Sequence, residues 1–269
     1  MKMKIDLHTH TNFSPDCAVA IERMLERAQK NGVAFYGVSD HIEYHMPTAF
    51  NPAPEKEEAY FHHARHLQED YAGCMNVLIG VEFGYTENPL IWKRIEKTCE
   101  KYAPDFVINS VHDVELKDYY YKKPFENTDK PTAYSTYLRL VRNSLDVSYP
   151  YDIVGHLGYL SRYAPYENRR VYVAEFYEQI DDILQTIIQK GKILEINSSN
   201  KDGVEAFLPE RAILERYYAL GGRKICFGSD AHDRERIAEK HEQAVALLKE
   251  MGFTHFTVPC KGEEIKIEL

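Results

Sequence analysis

Seven times along this 269-residue chain, a short apolar run rich in β-branched or aromatic residues precedes a longer stretch of helical periodicity. Such an alternation feeds parallel strands through helical crossovers and confines the chain to α/β architectures. The predicted strands are Lys4–His8, Phe35–Asp40, Val77–Phe83, Phe106–Val111, Asp152–His156, Ile193–Asn197 and Lys224–Ser229. The predicted helices are Ala20–Lys30, Lys56–Tyr71, Asn88–Tyr102, Thr132–Leu145, Arg170–Lys190, Pro209–Leu220 and Arg234–Met251. Asn31-Gly32 supplies a left-handed stop to the first helix, Pro209 suits the first turn of the sixth, and Gly221-Gly222 ends it. A seven-unit β/α barrel takes up all of these elements. A doubly wound open sheet competes, but no glycine-rich dinucleotide loop follows the first strand. No low-complexity tract, solenoid repeat or Pro/Ser/Gly linker divides the sequence, so residues 1–269 are expected to form one barrel domain.

Composition narrows the partners. The hydrophobic fraction of 44% and charged fraction of 28% are those of ordinary folded soluble chains. The N-terminus reaches His8-Thr9-His10 without building the apolar core of a signal peptide, and no run is long enough to span a bilayer. A cytoplasmic protein without membrane contact is expected. Cys17, Cys74, Cys99, Cys226 and Cys260 are odd in number and widely spaced, and read as reduced structural thiols. A net charge of −9 disfavours nucleic acid as a partner, and the Tyr119–Tyr121 run lacks the basic companions that base stacking needs.

The chemistry lies at the strand ends. His8 and His10, two residues apart where the first strand finishes, point to one side, although a His-x-His pair among twelve histidines says little alone. Taken with His41, Glu82, His112, His156, Asp230 and His232, it becomes a pattern: every predicted strand but the sixth ends in a nitrogen or carboxylate donor. Donors gathered at one mouth of a barrel, where active sites are built, point to a polynuclear metal centre. Imidazole with carboxylate and no cysteine suits zinc, iron or manganese in open coordination. Glu82 and Asp230 are expected to bridge cations, because a carboxylate has two oxygens to offer.

Asp6-Leu7-His8-Thr9-His10, Ser39-Asp40-His41, Glu82, Ser110-Val111-His112, Gly155-His156 and Gly228-Ser229-Asp230-Ala231-His232 resemble the successive motifs of the PHP superfamily. The resemblance covers nearly the whole chain. It implies a distorted seven-stranded TIM-like barrel holding three divalent metal ions through His8, His10, Asp16, His41, Glu82, His112, His156, Asp230 and His232. Asp16 stands where many relatives place a histidine, which makes that position more oxygen-rich. Ser14-Pro15-Asp16, the path from Gly155-His156-Leu157 to Arg162, and Leu194–Ser199 are similar to histidinol phosphate phosphatases. That likeness implies hydrolysis of L-histidinol phosphate to L-histidinol and phosphate, a step of histidine biosynthesis. Another small phosphomonoester or a nucleotide is the alternative substrate, and a catalytically silent scaffold is the competing class.

In this reading a hydroxide held between two cations attacks phosphorus in line, and Asp230 or His232 carries a proton to the departing alcohol. Arg162 clamps the phosphate with a planar fork, beside Asn197. Lys201 stands in, as a point charge, for an arginine that the likeness leads one to expect nearby. Asp113, where relatives often carry an apolar side chain, reshapes the pocket wall. His62, His63 and His66 read as a polar helix surface instead of a second metal site, and His45, His241 and His255 as surface or supporting residues.

Overall fold

The computed structural model describes residues 3–200 and 205–269. Seven strands, β1 (Lys4–Asp6), β2 (Val33–Val38), β3 (Asn76–Gly84), β4 (Phe106–Ser110), β5 (Ile153–Val154), β6 (Ile193–Asn197) and β7 (Ile225–Gly228), follow one another in space as in sequence. Each pairs with the next in parallel. Between β7 and β1 the Leu7 amide donates to the Phe227 carbonyl (3.0 Å) and the Asp230 amide to the His8 carbonyl (2.7 Å), so the sheet curls into a nearly closed barrel. Strands covered on both faces need continuous apolar sequence, and β3 is buried from Val77 to Gly84. The Phe106 ring lies across β3 and β2 where Gly80 and Gly37 leave room for it.

Among the described residues seven α-helices surround the barrel: α1 (Ile21–Lys30), α2 (Pro54–Asp70), α3 (Pro89–Tyr102), α4 (Lys130–Ser144), α5 (Tyr177–Gln189), α6 (Arg211–Ala219) and α7 (His241–Met251). In α5, Ile180, Ile183, Leu184 and Ile187 form the apolar stripe that faces the sheet. Asn88 and Asp129 cap α3 and α4 by accepting from the amides of Leu90 and Thr132. No helix among the described residues is long and apolar enough to cross a membrane. All five cysteines are free thiols.

Three helical expectations are corrected by tertiary hydrogen bonds. The helix expected from Arg170 begins at Tyr177, because Arg170 Nε and the Val171 amide are both bound to the Glu210 carboxylate (3.0 and 2.6 Å). Pro209 lies ahead of α6 and its N-cap Glu210, while Leu208 is paired with Asn197. The helix expected over Arg234–Met251 is a single 3-10 turn, Arg234–Arg236, followed by α7; Ala238 and Lys240 are left-handed (φ 57° and 60°), and the Ala238 amide is bound to Asp6 Oδ2 (2.7 Å). A C-terminal antiparallel hairpin, β8 (His255–Cys260) and β9 (Glu263–Glu268), lies outside the expected elements.

His241 is a core residue, not a surface one. It is 4% exposed, takes the Ile5 amide on Nε2 (3.3 Å) and packs edge-on against Phe227. Burial, then the Lys4 charge, push its pKa down to about 4. Between the ordinary value near 6.5 and this one the unfolded chain binds the extra proton, so stability is complete above pH 6.5 and falls as pH drops towards 4. His241→Gln, which keeps an acceptor for Ile5, is expected to remove about 3 kcal/mol of that acid-side loss. Urea unfolding at pH 7 and pH 4 measures it; an unchanged difference between the two would refute the assignment.

Candidate metal centre

The strand ends deliver their donors to one place. His8 and His10 follow β1, His41 sits on a two-residue strand (His41–Ile42) paired with the end of β3, and Glu82 lies within β3. His112 follows β4, His156 follows β5, and Asp230 and His232 follow β7. Glu82 is at the centre and fully buried: Oε1 faces Nε2 of His8 (3.3 Å), His112 (3.2 Å) and His156 (3.0 Å). Its Oε2 faces His41 Nδ1 (2.7 Å) and His10 Nε2 (3.7 Å). One carboxylate thus addresses two sets of imidazoles. Asp16, on an exposed loop, reaches His232 Nε2 (3.1 Å) and His41 Nε2 (3.7 Å). His10 stacks between His41 and His232, at centroid distances of 4.2 and 4.1 Å.

These close approaches are not hydrogen bonds throughout. His8 Nε2, His10 Nε2, His41 Nδ1 and Glu82 Oε2 are buried and have no hydrogen-bond partner among the described residues, although His41 Nδ1 and Glu82 Oε2 are only 2.7 Å apart. Buried polar atoms left out of hydrogen-bond geometry are costly, and imidazole and carboxylate atoms converging in this way fit shared cations. Ligand atoms of three overlapping groups lie within 4.8 Å of one another: His8, His10 and Glu82; His41, Glu82 and His112; His10, His41 and His232. The donor set is imidazole and carboxylate, with no thiolate, as zinc, iron or manganese in an open site prefer.

Charge is arranged to match. Burial opposes ionisation of Glu82, but the imidazoles of His8, His112 and His41 outweigh it and hold its carboxyl well below the usual range. Asp230 is likewise held ionised against burial, chiefly by Arg162 and then His8. Burial, with the neighbouring His232 and His41, drives His10 well below its ordinary value and keeps it neutral, the form that can ligate.

A family model described as the PHP domain matches residues 6–199 of the chain. The chain belongs to the PHP domain family. A probable histidinol-phosphatase of Clostridium acetobutylicum is 29% identical over 251 residues, covering 92% of this chain and 93% of that relative. A histidinol-phosphatase of Lactococcus lactis is 28% identical over 252 residues, covering 93% and 92%. The crystal structure of a histidinol phosphate phosphatase from Lactococcus lactis, in complex with zinc, L-histidinol and phosphate, superimposes with a TM-score of 0.86 at 25% identity, covering 99% of this chain and all of that one. The agreement extends to the barrel as a whole.

Beside the donors of this PHP barrel lies the expected anion side. The Arg162 side chain is largely covered, 8% exposed; its Nη2 donates to Asp230 Oδ2 (2.8 Å) and Asn197 Oδ1 (3.2 Å), and its Nε has no partner among the described residues. Ser199 Oγ donates to the same Asp230 oxygen (2.9 Å). Asp230 therefore presents only Oδ1 to the imidazoles, 3.2 Å from His10 Nε2, and does not share the two-sided arrangement of Glu82. Lys201 lies outside the described residues. His62 is exposed, His63 meets Glu22 and His66 approaches Asp70, all away from the centre. His45 is not a surface residue: its Nε2 is 2.6 Å from Asp113 Oδ2, and both side chains are buried.

Several supporting residues escaped the sequence reading. Glu195 on β6 meets His8 Nδ1 (2.7 Å), Glu43 meets His112 Nδ1 (2.5 Å), and Ser110 Oγ donates to Glu82 Oε1 (2.6 Å). Asp40 gathers the Thr11 and Ser14 amides and hydroxyls, fixing the loop that carries Asp16. A carboxylate inside an apolar strand, as in Ile193-Leu194-Glu195-Ile196, was the available signal, since such a charge is buried only with a partner.

Proposed function

We propose that this PHP-family chain is a metal-dependent phosphatase that hydrolyses L-histidinol phosphate to L-histidinol and phosphate. The observation that carries the reading is the nest of buried, unpartnered imidazole and carboxylate atoms opening beside a largely covered arginine with a free N–H. The substrate is supported by likeness over nearly the full length to proteins described as histidinol phosphatases.

His8, His10, Asp16, His41, Glu82, His112, His156, Asp230 and His232 would hold the cations, with Glu82 shared between neighbouring positions. Bound there, the cations supply Lewis acidity, offsetting the charge of the phosphate dianion and lowering the pKa of water towards neutrality. The protein's own groups orient the ester. Arg162 offers Nε to a phosphoryl oxygen while Asn197 and Asp230 fix its guanidinium plane. Asp230 Oδ1 and the half-exposed His232 are the groups placed to carry protons between the reacting oxygens and solvent.

The test compares L-histidinol phosphate with p-nitrophenyl phosphate and a nucleoside monophosphate, using zinc- or manganese-loaded protein. A preference in kcat/KM of roughly 100-fold or more for histidinol phosphate is expected; equal rates on all three would overturn the substrate, and an inert metal-loaded protein the activity. Arg162→Ala is expected to raise KM roughly 10- to 100-fold, the loss of one charge-assisted hydrogen bond, with a smaller change in kcat. Steady-state kinetics reads this, and an unaltered KM would remove Arg162 from the phosphate site.

A further inference from the structure

We propose that Glu195 is a positioning residue of the metal centre, fixing His8 and His156 together, and that Gly228 is glycine in order to house it. The inference rests on the metal-centre reading above. β6 is the strand whose end carries no expected ligand, yet Glu195 within it is 1% exposed and uses both oxygens on ligand-bearing residues of other strands. Oε1 lies 2.7 Å from His8 Nδ1, and Oε2 accepts the His156 amide at 2.6 Å.

A carboxylate oxygen facing Nδ1 favours the His8 tautomer that carries its proton there, which leaves the Nε2 lone pair for the centre. That Nε2 has no hydrogen-bond partner among the described residues and lies 3.3 Å from Glu82 Oε1. To reach β1 from β6 the Glu195 side chain must pass over β7, and it does so at Gly228. A Cβ there would overlap Glu195 Oε1 and press on His8 Cβ. Gly228 is not among the residues of positive φ, so space and not backbone conformation demands glycine.

The device recurs. A Cβ on Gly155 would overlap Ser110 Oγ, which holds Glu82, and one on Gly84 would sit 2.8 Å from Cγ of Glu43, which holds His112. Each supporting group occupies a slot that a glycine leaves open.

The experiment measures zinc affinity by competition with a chromophoric chelator for the wild type, Glu195→Ala, Glu195→Gln and Gly228→Ala. Thermal unfolding of the chelator-treated proteins gives a readout of folding without metal. Glu195→Ala and Gly228→Ala are expected to weaken zinc binding roughly 10- to 100-fold. Glu195→Gln fills the same volume but can accept only one of the two hydrogen bonds, so it is expected to lose roughly tenfold while its metal-free unfolding midpoint stays near that of the metal-free wild type. If Glu195→Ala does not fold, Glu195→Gln and Gly228→Ala decide. Zinc affinities within about twofold of wild type in those variants overturn the positioning role. A wild type that takes up no zinc overturns the centre itself, and the brace with it.

Discussion

Glu82→Gln is expected to lower kcat/KM for the phosphate ester roughly a thousandfold or more, equivalent to about 4 kcal/mol of lost transition-state stabilisation. The native side chain turns one oxygen towards His8, His112 and His156 and the other towards His41 and His10. Glutamine has a single acceptor oxygen, and its NH2 group cannot ligate, so one of the two imidazole sets loses its shared partner. The substitution also deletes the negative charge around which those imidazoles are packed. Volume is conserved, and Ser110 can still donate to the amide oxygen, so the barrel should remain folded. Kinetics together with elemental analysis measure the outcome, with at least one metal equivalent lost; full occupancy and near-native turnover would contradict the central place given to Glu82.

Apart from Asp16, which only the family resemblance supplied, the donors were legible because each stands at or just beyond the end of an apolar run, and a parallel barrel brings those ends to one mouth. His8, Glu82 and Asp230 could be grouped from sequence although more than 140 positions separate Glu82 from Asp230. Glu195 obeys a different rule. It lies inside β6 and becomes meaningful only through His8, 187 positions away, and through the space at Gly228. Asp6 is similar: burial raises its pKa to about 6 even as it takes the Ser229 and Ala238 amides, and nothing adjacent in sequence names those partners.

The same distinction explains the helix boundaries. α1 and α3 begin and end within a residue of the periodicity that announced them, because local features decide their limits: Asn88 caps α3, and left-handed Gly32 follows the end of α1. α5 and α7 start seven residues late because Glu210 and Asp6 claim amides that helical continuation would have used. The hairpin of β8 and β9 turns on Lys261-Gly262, both left-handed, a short-range signal that stands outside the βα alternation of the rest of the chain.

Stripping divalent cations is expected to lower the thermal unfolding midpoint by roughly 10 °C at neutral pH. A ligand present at a thousandfold its dissociation constant stabilises by about 4 kcal/mol, and in a chain of this size each kcal/mol moves the midpoint by about 2 to 4 °C. The loss should also grow with pH. In the metal-free protein burial opposes protonation of His8, but Glu195, Glu82 and Asp230 hold it well above its ordinary value, and Glu82 and Asp16 likewise raise His41 to about 9. Protonated imidazoles there stand in for the missing cations. A raised folded-state pKa gives stability that is complete below the unfolded value near 6.5 and disappears as pH climbs through about 9. The metal-free protein therefore weakens over that interval while the loaded protein, whose imidazoles are neutral ligands throughout, does not. Scanning calorimetry at pH 6.5 and pH 9, with and without chelator, should show the larger gap at pH 9. Identical midpoints with and without metal at both pH values would mean that the converging imidazoles and carboxylates are satisfied without cations.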